Sequence, residues 1–194
     1  MNNKRVTADE LLRRLSADPE VRRRREEQES GHRRAEEELS RAEAPLVDAL
    51  REAGCEVRTV WDLVNTTASY PSALPVLRSH LDRPYPPAIR EGIARALGVP
   101  ETGQQGWDHI IAAFRDERDA RVKSGLAVAI AAAASADRVD DVLALLRDRG
   151  HGSCRVLLLD VLRRLPAAAR RVILEELAPD PELGHECRRM LGAR

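Results

Sequence analysis

A pattern of residues that returns at a nearly constant interval constrains this chain more than any other feature. An apolar residue followed by a basic one occurs four times, with the basic residues 32, 33 and 32 positions apart: Val57-Arg58, Ile89-Arg90, Val122-Lys123 and Cys154-Arg155. Apolar residues recur four and eight positions after the first residue of most pairs, which is the spacing of one helix face. The unit is therefore predicted to be a pair of amphipathic helices. Because one pair cannot bury its apolar face alone, neighbouring pairs must stack.

An acidic turn also recurs, at Asp82, Asp116, Asp148 and Asp180, and the combined pattern resembles that of HEAT repeats. The resemblance covers roughly residues 43–191. It implies an all-α fold, a right-handed α-solenoid of about five HEAT-like helical hairpins. In that family the turn Asp and the helix-start Arg form a ladder between successive repeats. Transferred by position, the structural ladder would comprise Asp82, Asp116, Asp148, Arg90, Lys123 and Arg155.

Composition supports the helical prediction and excludes several classes of protein. Aromatic residues make up only 3% of the chain, so the core must be built from aliphatic side chains, as in helix packing. The 32 basic and 32 acidic residues cancel, whereas nucleic-acid binders usually carry a basic excess. No apolar run approaches the ~20 residues of a membrane span, and no signal peptide is recognised. These features predict a cytoplasmic protein that does not bind a membrane, and the Arg- and Ala-rich usage suggests a bacterial source.

Residues 1–42 are predicted to form a charged helical arm, partly flexible, ahead of a repeat domain at 43–194. A capping box at Thr7–Glu10 predicts a short helix that contains Leu11, Leu12 and Leu15. From Pro19 to Arg41 almost every residue is charged. Two interpretations remain open for this stretch. It is either a solvated helix that frays near Gly31, or an arm for docking or homodimerisation, although no heptad of apolar residues runs through it.

Local signals predict several features of the repeat domain. Pro45 should start or kink a helix, and Trp61 should be a core residue. Prolines and glycines predict the longest loop at 98–106. Gly92 and Gly125 occupy the same position in two repeats, which predicts close approach of helices there. Either Ser69 or Ser72 is expected to cap the following helix.

No sequence motif indicates catalysis or a cofactor. Two pairs of potential metal ligands, His151 with Cys154 and His185 with Cys187, lack the spacing of a zinc motif. Nucleotide-binding and hydrolase motifs do not occur. Alkylpurine DNA glycosylases of HEAT-like fold resemble the chain in helix pairing, but they rely on a basic concave groove. We therefore expect no enzyme activity, no cofactor and no metal, with a DNA-binding or DNA-glycosylase-like enzyme as the alternative.

The second helices of a solenoid line its concave face, and this face is the predicted binding site. Positions two, six and nine after the start of each pair should point away from the core. The candidate partner-binding residues on that basis are Glu91, Arg95, Ser124, Val128, Val156, Asp160 and Arg163. Extended concave faces of this kind bind proteins or peptides. The sequence thus predicts a non-catalytic scaffold or adaptor whose partner is a protein or peptide, with nucleic acid unlikely.

Overall fold

Eleven α-helices carry most of residues 19–192, the part of the chain that the computed structural model describes, and this part contains no strand. The prediction of an all-α fold is confirmed. The helices are α1 Pro19–Glu52, α2 Trp61–Val64, α3 Ala73–Leu81, α4 Pro87–Ala96, α5 Pro100–Gln105, α6 Trp107–Asp116, α7 Ala120–Ala133, α8 Val139–Arg147, α9 Arg155–Leu158, α10 Ala167–Leu177 and α11 Gly184–Gly192. Three 3₁₀ helices, Ala136–Arg138, Arg149–Cys154 and Leu159–Arg164, flank α8 and α9.

The chain divides into two units at Ala42 and Glu43. In the first unit, residues 19–42 belong to α1, and all of them are exposed except Ser30, Leu39 and Ala42, which are half-buried. The capping box and helix predicted at residues 7–15 lie outside the described residues.

The second unit is built around α7. This helix packs against α4, α5, α6 and α9, and its buried face is made of Val122, Leu126, Ile130 and several alanines. In turn α4 packs against α2 and α3, α8 packs against α9, and α10 packs against α11. The helices that begin near the repeated basic residues therefore contact one another in chain order, from α2 through α4 and α7 to α9.

Two helix starts show how the sequence sets the ends of these elements. Pro87 is the first residue of α4 and follows Pro86, whose extended backbone cannot continue a helix from before. Asp119 precedes α7, and its side chain accepts hydrogen bonds from the amides of Arg121 and Val122. Each residue therefore fixes where its helix begins.

The predicted close approach at the paired glycines is confirmed. A Cβ atom at Gly92 would lie 2.4 Å from Cγ1 of Val60. One at Gly125 would lie 3.1 Å from the carbonyl oxygen of Glu91. Each glycine thus lets its helix pack closely against the preceding one.

Other local predictions differ from the structure. The loop expected at 98–106 contains α5, because Pro100 takes the first helical position, where its missing N–H costs nothing. Of the two alternatives predicted for Pro45, the helix start is wrong, because Pro45 is exposed and lies within α1. Ser72 precedes α3 but makes no side-chain capping bond. Trp61 is half-buried rather than fully buried.

Within residues 19–192, no helix combines the length and the apolar character required to cross a bilayer.

Candidate interaction surface

The basic residues of the predicted ladder bind groups from neighbouring segments. Nη2 of Arg90 lies 2.5 Å from Oε2 of Glu117, and Nε of Arg90 donates to the carbonyl of Leu81 at 3.5 Å. The Lys123 ammonium donates to the carbonyl of Glu117 and lies 5.1 Å from the ring centre of Phe114. These contacts link α4 and α7 to the turns around them.

Arg155 makes the most buried of these contacts. Its side chain is 1% exposed and forms two hydrogen bonds with the Asp180 carboxylate, at 3.0 and 3.1 Å. It also donates to the carbonyls of Leu146 and Gly152. The Arg155 guanidinium is the main reason that the pKa of Asp180 falls to about 2, and the amides of Leu183 and Glu182 lower it further. Asp180 therefore pairs a buried cation and caps the turn that leads into α11.

The acidic residues of the predicted ladder bind partners other than the basic residues of that ladder. Asp82 binds Nε2 of His109 at 3.0 Å. Asp148 accepts from the amide of Gly150 and lies 3.5 Å from His151. Asp116 is exposed at the end of α6. The carboxylates that meet the helix-start arginines belong instead to Glu117 and Asp180.

Glu91 differs from the expectation that it points away from the core, because its residue is only 8% exposed. One carboxylate oxygen accepts from Nε of Arg95 at 2.9 Å, and the other accepts from Nε of Arg121 on α7. We name Glu91, Arg95 and Arg121 the arginine cluster. Two positive charges meet one negative charge in it, so the cluster carries one net positive charge.

The remaining predicted residues lie on α7, on α9 and on the 3₁₀ helix after α9. Ser124, Val128 and Val156 are half-buried, and the Ser124 hydroxyl donates to the carbonyl of Ala120 within its own helix. Asp160 and Arg163 are exposed and pair with each other at 2.8 Å. Neither forms an ion pair with the arginine cluster.

A cleft of about 310 Å³ opens beside Arg95. Its other lining residues include Leu63, Val64, Tyr70, Val99 and Glu101. The Tyr70 hydroxyl donates to the carbonyl of Ala96 at 3.0 Å, which joins the segment before α3 to the end of α4. Burial, together with the nearby Glu101 carboxylate, raises the pKa of Tyr70, so this hydroxyl stays protonated at neutral pH.

The chemistry available here is recognition by hydrogen bonds and charge. The Arg121 side chain is 61% exposed, and the carboxylate of Glu91 holds it in place. Guanidinium groups present several N–H donors in one plane and bind carboxylates in pairs of hydrogen bonds. The arginine cluster and the cleft together therefore offer a positive rim beside a recess whose lining is partly apolar and partly polar, with the Glu101 carboxylate among the polar groups.

Sequence reasoning did not identify Arg121 or Tyr70. Arg121 stands directly before the Val122-Lys123 pair, a position outside the spacing used to define the concave face. Tyr70 lies in the link between helices, where no periodic pattern applies.

The potential metal ligands His151, Cys154, His185 and Cys187 differ in burial, and His185 is exposed. Cys55 and Cys187 are buried, and the Cys154 thiol donates to the carbonyl of His151 at 2.9 Å. Burial raises the pKa of the Cys154 thiol, which keeps it protonated. In the part of the chain that the structure describes, no three His, Cys, Asp or Glu side chains are placed to hold a metal ion together.

No protein-family model, no curated protein and no solved structure matches the chain.

Proposed function

We propose that this chain is a non-catalytic interaction module of the HEAT-like α-solenoid type, which binds a protein or peptide segment on the surface formed by α4, α7 and α9. In this proposal the helical hairpins stack in one right-handed row of about five. The chain-order contacts from α2 through α4 and α7 to α9 support such a row. Its place of action would be the bacterial cytoplasm.

The observation that carries the proposal is the arginine cluster. Glu91 is buried and holds two arginines from different helices in defined positions, and one net positive charge remains unbalanced there. Fixing a side chain before binding reduces the conformational entropy lost when a partner docks. Arg121 is exposed and already ordered, so it is suited to bind a carboxylate.

The neighbouring cleft specifies the rest of the partner. Leu63, Val64 and Val99 line it close to Arg95, so an apolar side chain fits beside the charged rim. The partner is therefore a segment that places an acidic residue near an apolar one. Extended surfaces of helical repeats commonly bind such segments.

Selection of binders from a random-peptide display library tests this function. Peptides selected on the wild-type protein should carry Asp or Glu near an apolar residue. Their dissociation constants should rise about 10-fold or more with Arg121→Glu, because the substitution replaces an attraction by a repulsion. Arg171→Glu is the matched control, since Arg171 is also exposed and bound to a carboxylate at 2.7 Å.

Two results would contradict the proposal. Selected peptides that bind the Arg121→Glu variant as tightly as wild type would remove the arginine cluster from the interface. Tight binding to duplex DNA that weakens steeply with salt would support the DNA-binding alternative instead.

A further inference from the structure

The charges along the first unit are arranged as a mirror image of opposite sign. Four arginines at 22–25 are followed by acidic residues at 26, 27 and 29, and then two arginines at 33 and 34 precede three glutamates at 36–38. Reflection about Ser30 places Arg22 opposite Glu38, Arg23 opposite Glu37, and Arg24 opposite Glu36. The same reflection places Glu26 opposite Arg34 and Glu27 opposite Arg33. The order of charges is therefore complementary to itself when the direction of the chain is reversed.

The structure leaves most of these charges available to a partner. The ion pairs within this helix, such as Arg23 with Glu27, have N–O distances of 3.6 to 4.0 Å, and their side chains are 65 to 80% exposed. Exposed pairs at this spacing within one helix stabilise it only weakly. Within the described residues, Arg22, Glu36 and Glu38 form no ion pair within 4.0 Å. A second helix can therefore compete for these groups.

The few apolar residues of the first unit lie on one face of the helix. Val21, Arg25, Gln28, His32, Ala35 and Leu39 alternate at spacings of four and three residues, which places them in one stripe along the helix. Val21 is 37% exposed and lies at one end of this stripe, and Leu39 lies at the other. Reflection about Ser30 brings Val21 opposite Leu39, and it brings Arg25 opposite Ala35.

We propose that the first unit is a homodimerisation element, in which α1 pairs with α1 of a second copy in antiparallel orientation about a two-fold axis at Ser30. The two Val21 and Leu39 pairs close the ends of the contact. Because the two flanks of the stripe are offset along the axis, Arg22 lies beside Glu36 of the second copy on one flank, and Arg24 lies beside Glu38 on the other. Glu29 meets its own copy at the two-fold axis, so four attractive pairs oppose one repulsive pair. This interface is independent of the peptide-binding function proposed above.

Antiparallel pairing is favoured over parallel pairing by the same charges. In a parallel pair in register, the block 22–25 would meet its own copy, and Arg25 would face Arg25 across the stripe. Like charges opposite one another are destabilising, and flanking charges commonly set the orientation of paired helices. Closed two-fold dimers are also the commonest oligomers of soluble proteins.

The mass of the full chain in solution tests the proposal first. At about 50 mM salt, light scattering should give twice the chain mass of 21.6 kDa at high protein concentration. The dimer should weaken at about 1 M salt, where the Debye length falls to about 3 Å. A monomer at every concentration in low salt would overturn the proposal.

Charge reversal makes this test specific. The variant Arg22→Glu with Arg24→Glu, and the variant Glu36→Arg with Glu38→Arg, should each raise the dissociation constant about 10-fold or more. Mixing the two variants should restore a dimer, because all four of the altered flanking pairs are then of opposite sign. The control Glu26→Arg with Glu37→Arg reverses the same number of charges on residues outside the stripe and its flanks, and it should remain dimeric. Equal dimerisation of all variants would overturn the proposal.

Disulfide cross-linking determines the orientation. A mixture of the Val21→Cys and Leu39→Cys variants should form a disulfide-linked dimer under mild oxidation, with the wild-type chain as the control for its own three cysteines. Val21→Cys alone should not cross-link, because the two copies of residue 21 lie about 27 Å apart along the paired helices. Cross-linking of Val21→Cys with itself would indicate parallel pairing and overturn the proposal.

Discussion

At the scale of single residues, the contact between Arg155 and Asp180 should matter most for stability. Asp180→Ala would leave the Arg155 guanidinium buried without its counter-ion, so we expect the free energy of unfolding to fall by about 3–5 kcal/mol. Urea denaturation followed by circular dichroism measures this change. Glu176→Ala is the control, because it removes an exposed pair with Arg147 and should cost less than about 1 kcal/mol. Equal losses in the two variants would show that burial does not strengthen the first pair.

The lowered pKa of Asp180 predicts that the stability of the fold depends on pH. The pKa of Asp180 is about 2 in the folded chain, below its ordinary value of about 3.9. A lowered pKa means that the unfolded chain binds the proton more tightly, so this stabilisation is complete above about pH 4. It is lost as the pH falls from about 4 through 2. The difference in unfolding free energy between wild type and Asp180→Asn should therefore shrink over this interval, and a constant difference would contradict the assignment.

At the level of single residues, the sequence predicted which arginines contact neighbouring segments, but it did not predict every carboxylate that they bind. The repeat identified Arg90 and Arg155 as residues that bind neighbouring segments. Asp180, the partner of Arg155, is the last of the repeated turn aspartates, whereas the repeat did not identify Glu117 as the partner of Arg90. The fold uses Glu117 because the turn before α7 directs its side chain towards Arg90 and towards the amides of Arg118 and Asp119. Which of two adjacent acids points inward depends on turn geometry, and periodicity does not contain that information.

Glu43 is a second case that periodicity could not reveal. It lies in a stretch of charged residues, yet it is buried and accepts a hydrogen bond from the amide of Val60 at 2.7 Å. Burial raises the pKa of this carboxyl, although the hydrogen bond partly opposes the effect. The amide of Val60 precedes α2, so the long-range contact replaces a local cap.

At the scale of helices, the close packing around Gly92 predicts that a larger residue at this position destabilises the fold. Gly92→Ala would place a Cβ atom 2.4 Å from Val60 and 3.2 Å from Nε1 of Trp61, which is closer than ordinary van der Waals contact. We expect a loss of about 1–3 kcal/mol in stability, because overpacking outweighs the better helix propensity of alanine. Thermal unfolding monitored by circular dichroism provides the measurement.

The control for this substitution is Gly31→Ala in α1. Nothing lies within 4 Å of a Cβ atom at Gly31, so alanine should increase helicity there rather than disturb packing. If Gly92→Ala raised the melting temperature, α4 would have room to move away from α2, and the close approach would not be a constraint.

Helix existence was easier to predict than helix boundaries. The long amphipathic segments α4, α6 and α8 follow directly from apolar residues at helical spacing. In contrast, α5 was predicted as loop because its sequence contains a proline and a glycine. Pro100 begins that helix, and Gly103 allows contact with the backbone of Ala133, where a Cβ atom would lie 2.3 Å from the carbonyl oxygen. A glycine usually weakens a helix, but tight packing requires one at position 103.

At the scale of the whole molecule, the second unit contains its own hydrophobic core. Fully buried residues run from Leu46 and Leu50 through the central helix α7 to Leu183 and Cys187 near the C-terminal end. The first unit has no buried residue among its described positions 19–42. Folding free energy comes mainly from burial of apolar surface, so the two units should differ greatly in stability.

Removal of residues 1–42 tests this division. A chain that begins at Glu43 should keep the melting temperature of the full protein within about 2 °C, because a shift of that size corresponds to no more than about 0.5–1 kcal/mol for a domain of this length. Its helical signal should decrease only by the contribution of the removed part of α1, because residues 43–52 of that helix remain. The full protein should in addition lose part of its helicity at lower temperature, since an exposed helix of charged residues lacks a core to support it. A fragment that melted far below the full chain would mean that residues 1–42 stabilise the second unit. The second unit would then not be stable on its own.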